Sequence, residues 1–169
     1  MPTSISIRPA TFPADTQTVR NLFLAYAQSL PIALDFQGFE EELAGLPGKY
    51  AADRGGVVYL AHTTEEGKCS TARESVIGIV ALRAFPSAAV RTCELKRLYI
   101  EPAARGRGVA KTLMDAVVFR ARECGYVEML LDTLGSMTAA RRLYGGYGFQ
   151  EIEGYYESVE GAVFYKLVL

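Results

Sequence analysis

The stretch TCELKRLYIEPAARGRGVAKTLM, residues 92–114, decides the fold. Its first half predicts a strand because apolar and polar side chains alternate there. Leu95 and Leu98 are three positions apart, whereas a regular strand returns to the same face every second residue. We therefore predict a β-bulge at Lys96-Arg97, with an irregularly patterned strand end as the alternative. A bulge in a central strand leaves backbone groups free to pair with an extended ligand.

A glycine turn follows this strand and precedes a helix. Gly106 and Gly108 allow a close backbone approach, and the apolar spacing from Val109 onward is helical. The free N–H groups at a helix start attract anions. The surrounding sixteen residues contain one acid, Glu101, and five basic residues: Lys96, Arg97, Arg105, Arg107 and Lys111. The pattern favours a phosphate site over a solvated basic helix start, and it lacks the glycines of the Walker and dinucleotide motifs.

The remaining sequence predicts an α/β fold in a single domain, residues 1–169. The predicted strands cover residues 4–10, 56–62, 76–85, 92–100, 127–133, 149–152 and 163–169. The predicted helices cover residues 13–30, 36–46, 108–124 and 138–147. Residues 63–74 are predicted to form a polar loop.

Composition narrows the classes of function. The net charge is -1 and 50% of the 169 residues are hydrophobic, so neither nucleic acid nor an anionic membrane is an expected partner. The three cysteines and the single histidine, His62, form neither a disulfide framework nor a zinc pattern. We therefore expect a cytoplasmic protein without a metal. No apolar run has membrane-spanning length, and no signal peptide is evident.

Two motifs together resemble the GCN5-related N-acetyltransferase (GNAT) family. Residues 105–110, RGRGVA, match its pyrophosphate signature [R/Q]-x-x-G-x-[G/A], and residues 140–149 match its A-x-x-L-Y-x-x-x-G-F element. The resemblance is strongest over residues 92–152. It implies a mixed, mostly antiparallel sheet of six to seven strands, with a bulge and splayed central strands, flanked by about four helices.

The resemblance also implies that acetyl-CoA is the acyl donor. The strand backbone would pair with pantetheine, the glycine turn would hold the pyrophosphate, and nearby basic side chains would add positive charge. The implied cofactor-binding residues are Leu98, Tyr99, Ile100, Arg105, Gly106, Arg107, Gly108, Val109, Ala110, Lys111 and Ser136. Ser136 stands where many relatives have an asparagine, a departure that affects this one contact.

Two residues are expected to carry the acid–base chemistry. Tyr144 matches the family tyrosine near the thiol and is the expected general acid, with a core aromatic as the alternative. Glu94 is the candidate base, acting through water on an amine that must lose a proton before attack. Its alternatives are an ion pair with Lys96 or Arg97, or a solvated strand residue. Cys93 lies on the opposite strand face and is expected in the core.

The acceptor is expected to be the amine of a small molecule. The segments that shape the acceptor side, residues 26–50 and 153–162, mix aromatic and acidic residues: Tyr26, Asp35, Phe36, Tyr155, Tyr156 and Glu157. A protein or peptide N-acetyltransferase and a non-catalytic acyl-CoA-binding regulatory module remain alternatives. The sequence leaves a homodimer open.

Overall fold

The computed structural model describes residues 4–34, 38–65, 73–86 and 89–169. Within them the strands are β1 (Ser4–Pro9), β2 (Val57–Glu65), β3 (Arg73–Ala84), β4 (Thr92–Ile100), β5 (Glu128–Leu134), β6 (Gln150–Ile152) and β7 (Ala162–Val168). The α-helices are α1 (Thr16–Ser29), α2 (Phe39–Ala44), α3 (Val109–Glu123) and α4 (Thr138–Gly146).

The strands form one seven-stranded sheet in the order β1-β2-β3-β4-β5-β7-β6. β4 and β5 pair in parallel, and every other neighbouring pair is antiparallel. The predicted mixed α/β fold with seven strands and four flanking helices is confirmed. β4 occupies the bounds predicted from its sequence.

The bounds of several predicted segments differ from the structure, most clearly around residues 63–74 and at α2. β2 continues to Glu65 and β3 begins at Arg73, so the loop predicted at residues 63–74 was too long. Thr63 and Thr64 are polar, but their backbones pair with β1 on one side and β3 on the other. α2 is shorter than its predicted range, because left-handed Gly38 (φ 65°) precedes it and it ends at Ala44.

Apolar side chains fill both faces of the sheet. α3 and α4 cover one face, where Leu113, Val117 and Met129 are fully buried. α1 and α2 cover the other face, where Val19 and Phe23 pack against the sheet. Each β4 side chain therefore points toward one of two helix layers.

The predicted bulge is present in β4. Lys96 pairs with Ala81 and Tyr99 pairs with Ile79, so two residues of β4 lie opposite the single residue Val80 of β3. On its other side, β4 pairs with β5 only at Thr92, Cys93 and Glu94. Beyond Glu94 the two parallel strands separate, and a cleft opens through the middle of the sheet.

Candidate active site

A groove of about 690 Å³ runs from the bulged part of β4 to the start of α3. The predicted cofactor-binding residues line it, except Arg107, which is exposed on the same turn. These lining residues are Leu98, Tyr99, Ile100, Arg105, Gly106, Gly108, Val109, Ala110, Lys111 and Ser136. The opposite wall comes from α4 and the end of α1. An extended ligand therefore fits between strand backbone at one end and the glycine turn at the other.

The glycine turn presents an unfilled set of backbone donors. Gly106 and Gly108 have φ values of 75° and 79°, a conformation that residues with a side chain rarely adopt. Among the described residues, the N–H groups of residues 106–111 have no backbone acceptor, and the first such bond is donated by Thr112 to the Gly108 carbonyl. These N–H groups and the α3 dipole suit a pyrophosphate.

The cleft between β4 and β5 connects with this groove. A cavity of about 50 Å³ lies in it, lined by Tyr26, Leu95, Lys96, Arg97, Leu98, Asp132, Thr133, Met137, Ala140 and Tyr144. Four residues, Tyr26, Leu98, Met137 and Ala140, line both spaces. A thioester at the end of a ligand in the groove can therefore enter the cleft beside Leu98.

Tyr144 lines the cleft and is 5% exposed. Its ring packs against Phe149 and Tyr165, with centroid distances of 5.7 and 6.3 Å, so part of its role is the aromatic core contact given above as the alternative. Burial raises the pKa of Tyr144, and the neighbouring Tyr26 and Asp132 raise it further. The hydroxyl therefore keeps its proton at neutral pH and is available as a donor in the cleft.

Glu94 lies behind the cleft rather than in its wall. The carboxylate is 1% exposed, with Lys96 Nζ 3.1 Å and Arg83 Nε 3.5 Å from its Oε1. The ion pair with Lys96 is thus present, but it is buried, unlike an exposed surface pair. Cys93 is fully buried on the opposite face, as expected, and burial raises its pKa to about 12.

Asp132 is a functional candidate that our reading of the sequence missed. It lines the cleft with its side chain 16% exposed, and its Oδ2 accepts a hydrogen bond of 2.6 Å from the Tyr156 hydroxyl. Lys96 Nζ is 3.8 Å from its Oδ1. The available signal was an acid that directly follows the apolar run Met129–Leu131 inside the strand EMLLDTL. Glu94, Lys96 and Asp132 thus form one charged cluster, which begins behind the cleft at Glu94 and reaches the cleft at Asp132.

A small cavity adjoins the cleft, and both polar and apolar groups line it. This cavity, of about 20 Å³, shares Tyr26, Asp132, Thr133 and Met137 with the cleft, and its other lining residues are Leu30, Ile32, Leu34, Leu134, Ser158, Val159 and Ala162. Tyr155 and Tyr156 pack on Phe164 beside it. Asp35 and Phe36, predicted for this side, lie outside the described residues, and Glu157 is exposed.

Neither a metal-binding cluster nor a membrane-spanning helix is found among the described residues. Within residues 4–34, 38–65, 73–86 and 89–169, no group of three or more His, Cys, Asp or Glu could hold a metal ion. In the same part of the chain, every helix is too short or too polar to cross a bilayer.

Comparison with known proteins agrees with this geometry. The model of the acetyltransferase (GNAT) family matches residues 25–149. An uncharacterised N-acetyltransferase of Schizosaccharomyces pombe is 32% identical over 167 residues, which cover 98% of this chain and 96% of that protein. The structure of yncA from Salmonella typhimurium with its cofactor acetyl-CoA has a TM-score of 0.70, at 20% identity over 97% of this chain and 93% of that chain. A chain of the NatC complex bound to Gag peptide and CoA has a TM-score of 0.67, at 22% identity over 98% and 99% of the two chains.

Proposed function

Because the chain belongs to the acetyltransferase (GNAT) family, we propose that it transfers an acetyl group from acetyl-CoA to the amine of a small molecule. The observation that carries this proposal is the continuity of three spaces. The glycine-turn groove opens into the β4–β5 cleft at Leu98, and the cleft opens into the small cavity at Asp132. Donor and acceptor can therefore meet in one ternary complex, within a single cytoplasmic domain.

Acetyl-CoA would lie along the groove. Its pantetheine would follow the backbone of Leu98, Tyr99 and Ile100, and its pyrophosphate would accept hydrogen bonds from the turn at residues 105–110. Lys111 would add positive charge near the phosphates, and Ser136 would face the cofactor from the opposite wall. The polar side chain of Ser136 is shorter than that of the asparagine that many relatives have at this position.

The acceptor side favours a compact amine. The cavity next to Asp132 encloses only about 20 Å³, so an acceptor must displace side chains or loop residues 158–161 to enter. A small molecule requires a smaller displacement than an extended peptide. Its ammonium would meet the Asp132 carboxylate, while its apolar part would contact Leu34 and Val159. The peptide bound to the NatC complex keeps a peptide acceptor as the second candidate.

The reaction requires one proton removal and one proton donation. The neutral amine attacks the thioester carbonyl carbon, a C–N bond forms, and the C–S bond then breaks. Glu94 is the proposed base, receiving the amine proton through water, and Asp132 is the carboxylate that faces that water in the cleft. Tyr144 is the proposed acid for the departing thiolate. Metal chemistry is not required for any of these steps.

A panel of acceptors tests the function. Purified protein is mixed with acetyl-CoA and with small amines, amino acids, polyamines or N-terminal peptides, and the released thiol is measured. We expect turnover with compact amines that carry an apolar group. Turnover confined to peptides would assign the protein-modifying function instead. Binding of coenzyme A without turnover of any acceptor would favour the regulatory module.

Two matched substitutions distinguish the role of the Glu94 carboxylate from that of the Asp132 carboxylate. Glu94→Gln is expected to lower kcat about tenfold or more and to flatten the acidic limb of the pH–rate profile, because general-base contributions are about 10²–10⁴-fold. Asp132→Asn is expected mainly to raise the acceptor KM by weakening its attraction for ammonium. Steady-state kinetics from about pH 6 to 9 distinguish the two effects.

Stability controls are needed because the Glu94 pair is buried. Removing one partner of a buried ion pair costs about 3–5 kcal/mol. The double variant Glu94→Gln/Lys96→Met removes both charges of this pair. Its free energy of unfolding is therefore the reference with which that of Glu94→Gln is compared. A folded Glu94→Gln protein with wild-type kcat and pH profile would exclude Glu94 as the base and leave Asp132 or water.

A further inference from the structure

Arg97 has a backbone conformation that its side chain disfavours. Its φ is 60°, and it is the only non-glycine residue with positive φ in the described part of the chain. Left-handed backbone brings the Cβ of an L-residue too close to the following carbonyl oxygen. Arg97 lies within the β4 bulge, opposite Val80. Surrounding contacts must therefore compensate for this conformation.

Glu42 of α2 supplies the main contact. The Arg97 Nε lies 2.9 Å from Glu42 Oε2, and the two side chains are 2% and 4% exposed. The other carboxylate oxygen, Oε1, accepts a hydrogen bond of 2.8 Å from the Tyr50 hydroxyl and lies 2.7 Å from Lys49 Nζ. Both oxygens of Glu42 are thus engaged, so its position is fixed by several elements at once.

Aromatic rings restrict the guanidinium further. Its central carbon lies 5.7 Å from the ring centroid of Tyr26 and 5.3 Å from that of Phe39. Burial alone would raise the pKa of Glu42, but Arg97 and Lys49 hold it below its ordinary value. The pair is therefore ionised at neutral pH, with one side chain from α2 and the other from the bulge.

The bulge conformation matters because Leu98 follows Arg97 directly. Leu98 lines both the cofactor groove and the cleft, at the point where the thioester would lie. Tyr26, which touches the Arg97 guanidinium, lines both spaces as well. Glu42 lines neither the groove nor the cleft and cannot touch a donor there.

We propose that Glu42 is a positioning residue, which acts through Arg97 to hold the β4 bulge in its left-handed conformation and so to place Leu98 at the thioester. This inference rests on the proposed acetyl transfer. A residue of α2 would thus control the backbone geometry of β4, the strand along which the donor would lie. Loss of the Glu42–Arg97 pair should leave pyrophosphate binding intact, because the glycine turn is a separate structure. The same loss should misplace the reacting carbonyl.

Three variants test the proposal. Arg97→Ala loses the pair at a residue that disfavours left-handed backbone, whereas Arg97→Gly loses the same pair but adopts that backbone without strain. Glu42→Gln keeps an oxygen for the hydrogen bond but loses the charge. We expect kcat to fall about tenfold or more in Arg97→Ala and Glu42→Gln, because a displacement near 1 Å can cost about 10²-fold. The kcat of Arg97→Gly should be several-fold higher than that of Arg97→Ala.

The dissociation constant of coenzyme A should change less than about threefold in all three variants, because pyrophosphate contacts dominate it. Calorimetry measures that constant, and circular dichroism confirms folding at the assay temperature. Wild-type kcat in folded Arg97→Ala and Glu42→Gln would overturn the proposal. Equal losses in Arg97→Gly and Arg97→Ala would also overturn it, because backbone conformation would then not decide the rate.

Failure of acetyl transfer itself would appear differently, as a wild-type protein that acetylates no acceptor. The amide resonance of Val80 then tests the positioning role, because Val80 lies opposite the bulge and is not adjacent in sequence to the substituted residue. We expect its ¹H–¹⁵N shift to move in Arg97→Ala and to stay near the wild-type value in Arg97→Gly. An unchanged shift in Arg97→Ala would overturn the positioning role.

Discussion

Replacing Gly108 with Asp is expected to abolish coenzyme A binding at concentrations that saturate the wild-type protein. The new carboxylate would lie among the free N–H groups of residues 106–111, where the pyrophosphate is proposed to bind. Its negative charge would occupy the α3 N-terminus and repel the phosphates. A Cβ at Gly108 meets no heavy atom within 4 Å, so the added side chain itself has room.

Backbone strain must be separated from charge at this position. Gly108 has a φ of 79°, which most side chains disfavour. Gly108→Asn is the matched control, because Asn and Asp have nearly the same size and both tolerate left-handed backbone better than other residues. We expect Gly108→Asn to bind coenzyme A more weakly than wild type but measurably, and Gly108→Asp not to bind.

Calorimetry and thermal unfolding measure this difference. A ligand at 100 times its dissociation constant stabilises the folded protein by about 2.7 kcal/mol through mass action, so wild type should melt at a higher temperature with coenzyme A. Gly108→Asp should show no such increase. Equal affinity of the Asp variant, with its fold intact, would contradict the assignment of the pyrophosphate to this turn.

Local patterns predicted the donor half of the site. The three-residue spacing of Leu95 and Leu98 predicted the bulge, because a period of two cannot place both in one core without an extra residue. The helix start at Val109 followed from the glycines and the apolar spacing after them. These features depend on neighbouring residues, so they can be read from a short stretch of sequence.

The polar contacts in and behind the cleft could not be predicted in this way. Glu42 and Arg97 are 55 positions apart, and Asp132 and Tyr156 are 24 apart. Such pairs depend on how helices and loops pack across the sheet, which no local period encodes. Arg97 also breaks the preference for glycine in left-handed backbone. Its buried partner Glu42, and not its own propensity, explains that conformation.

The loop prediction at residues 63–74 failed for a related reason. Thr63 and Thr64 are polar, but strand identity there comes from backbone pairing on two sides. A strand between two partners gains hydrogen bonds whatever its side chains. The error lies away from the groove and the cleft, and it leaves the proposed site unchanged.

Tyr144→Phe is expected to lower kcat by at least about tenfold under conditions where chemistry is rate-limiting. The substitution removes one hydroxyl from the cleft and leaves the ring contacts with Phe149 and Tyr165 in place. Because burial raises the pKa of Tyr144, the hydroxyl keeps its proton at neutral pH and can donate it to the sulfur as the C–S bond breaks.

The raised pKa also predicts the shape of the pH–rate profile. Tyr144 should remain protonated from about pH 6 to 9, because its pKa lies above the ordinary value near 10. The profiles of wild type and Tyr144→Phe should therefore run parallel over this range, with the variant lower throughout. A change in the basic limb within this range would mean that Tyr144 titrates there and that its environment is more polar than its burial indicates.

Tyr165→Phe is the control for this substitution. It removes a hydroxyl from the same aromatic cluster, but that hydroxyl accepts a hydrogen bond of 2.9 Å from Arg141 Nε and lines neither the groove nor the cleft. We expect near wild-type kcat for Tyr165→Phe, and unchanged coenzyme A affinity for both variants. A solvent-viscosity series identifies conditions in which product release is not limiting. Wild-type kcat for Tyr144→Phe under those conditions would make Tyr144 a packing residue and leave water as the proton source.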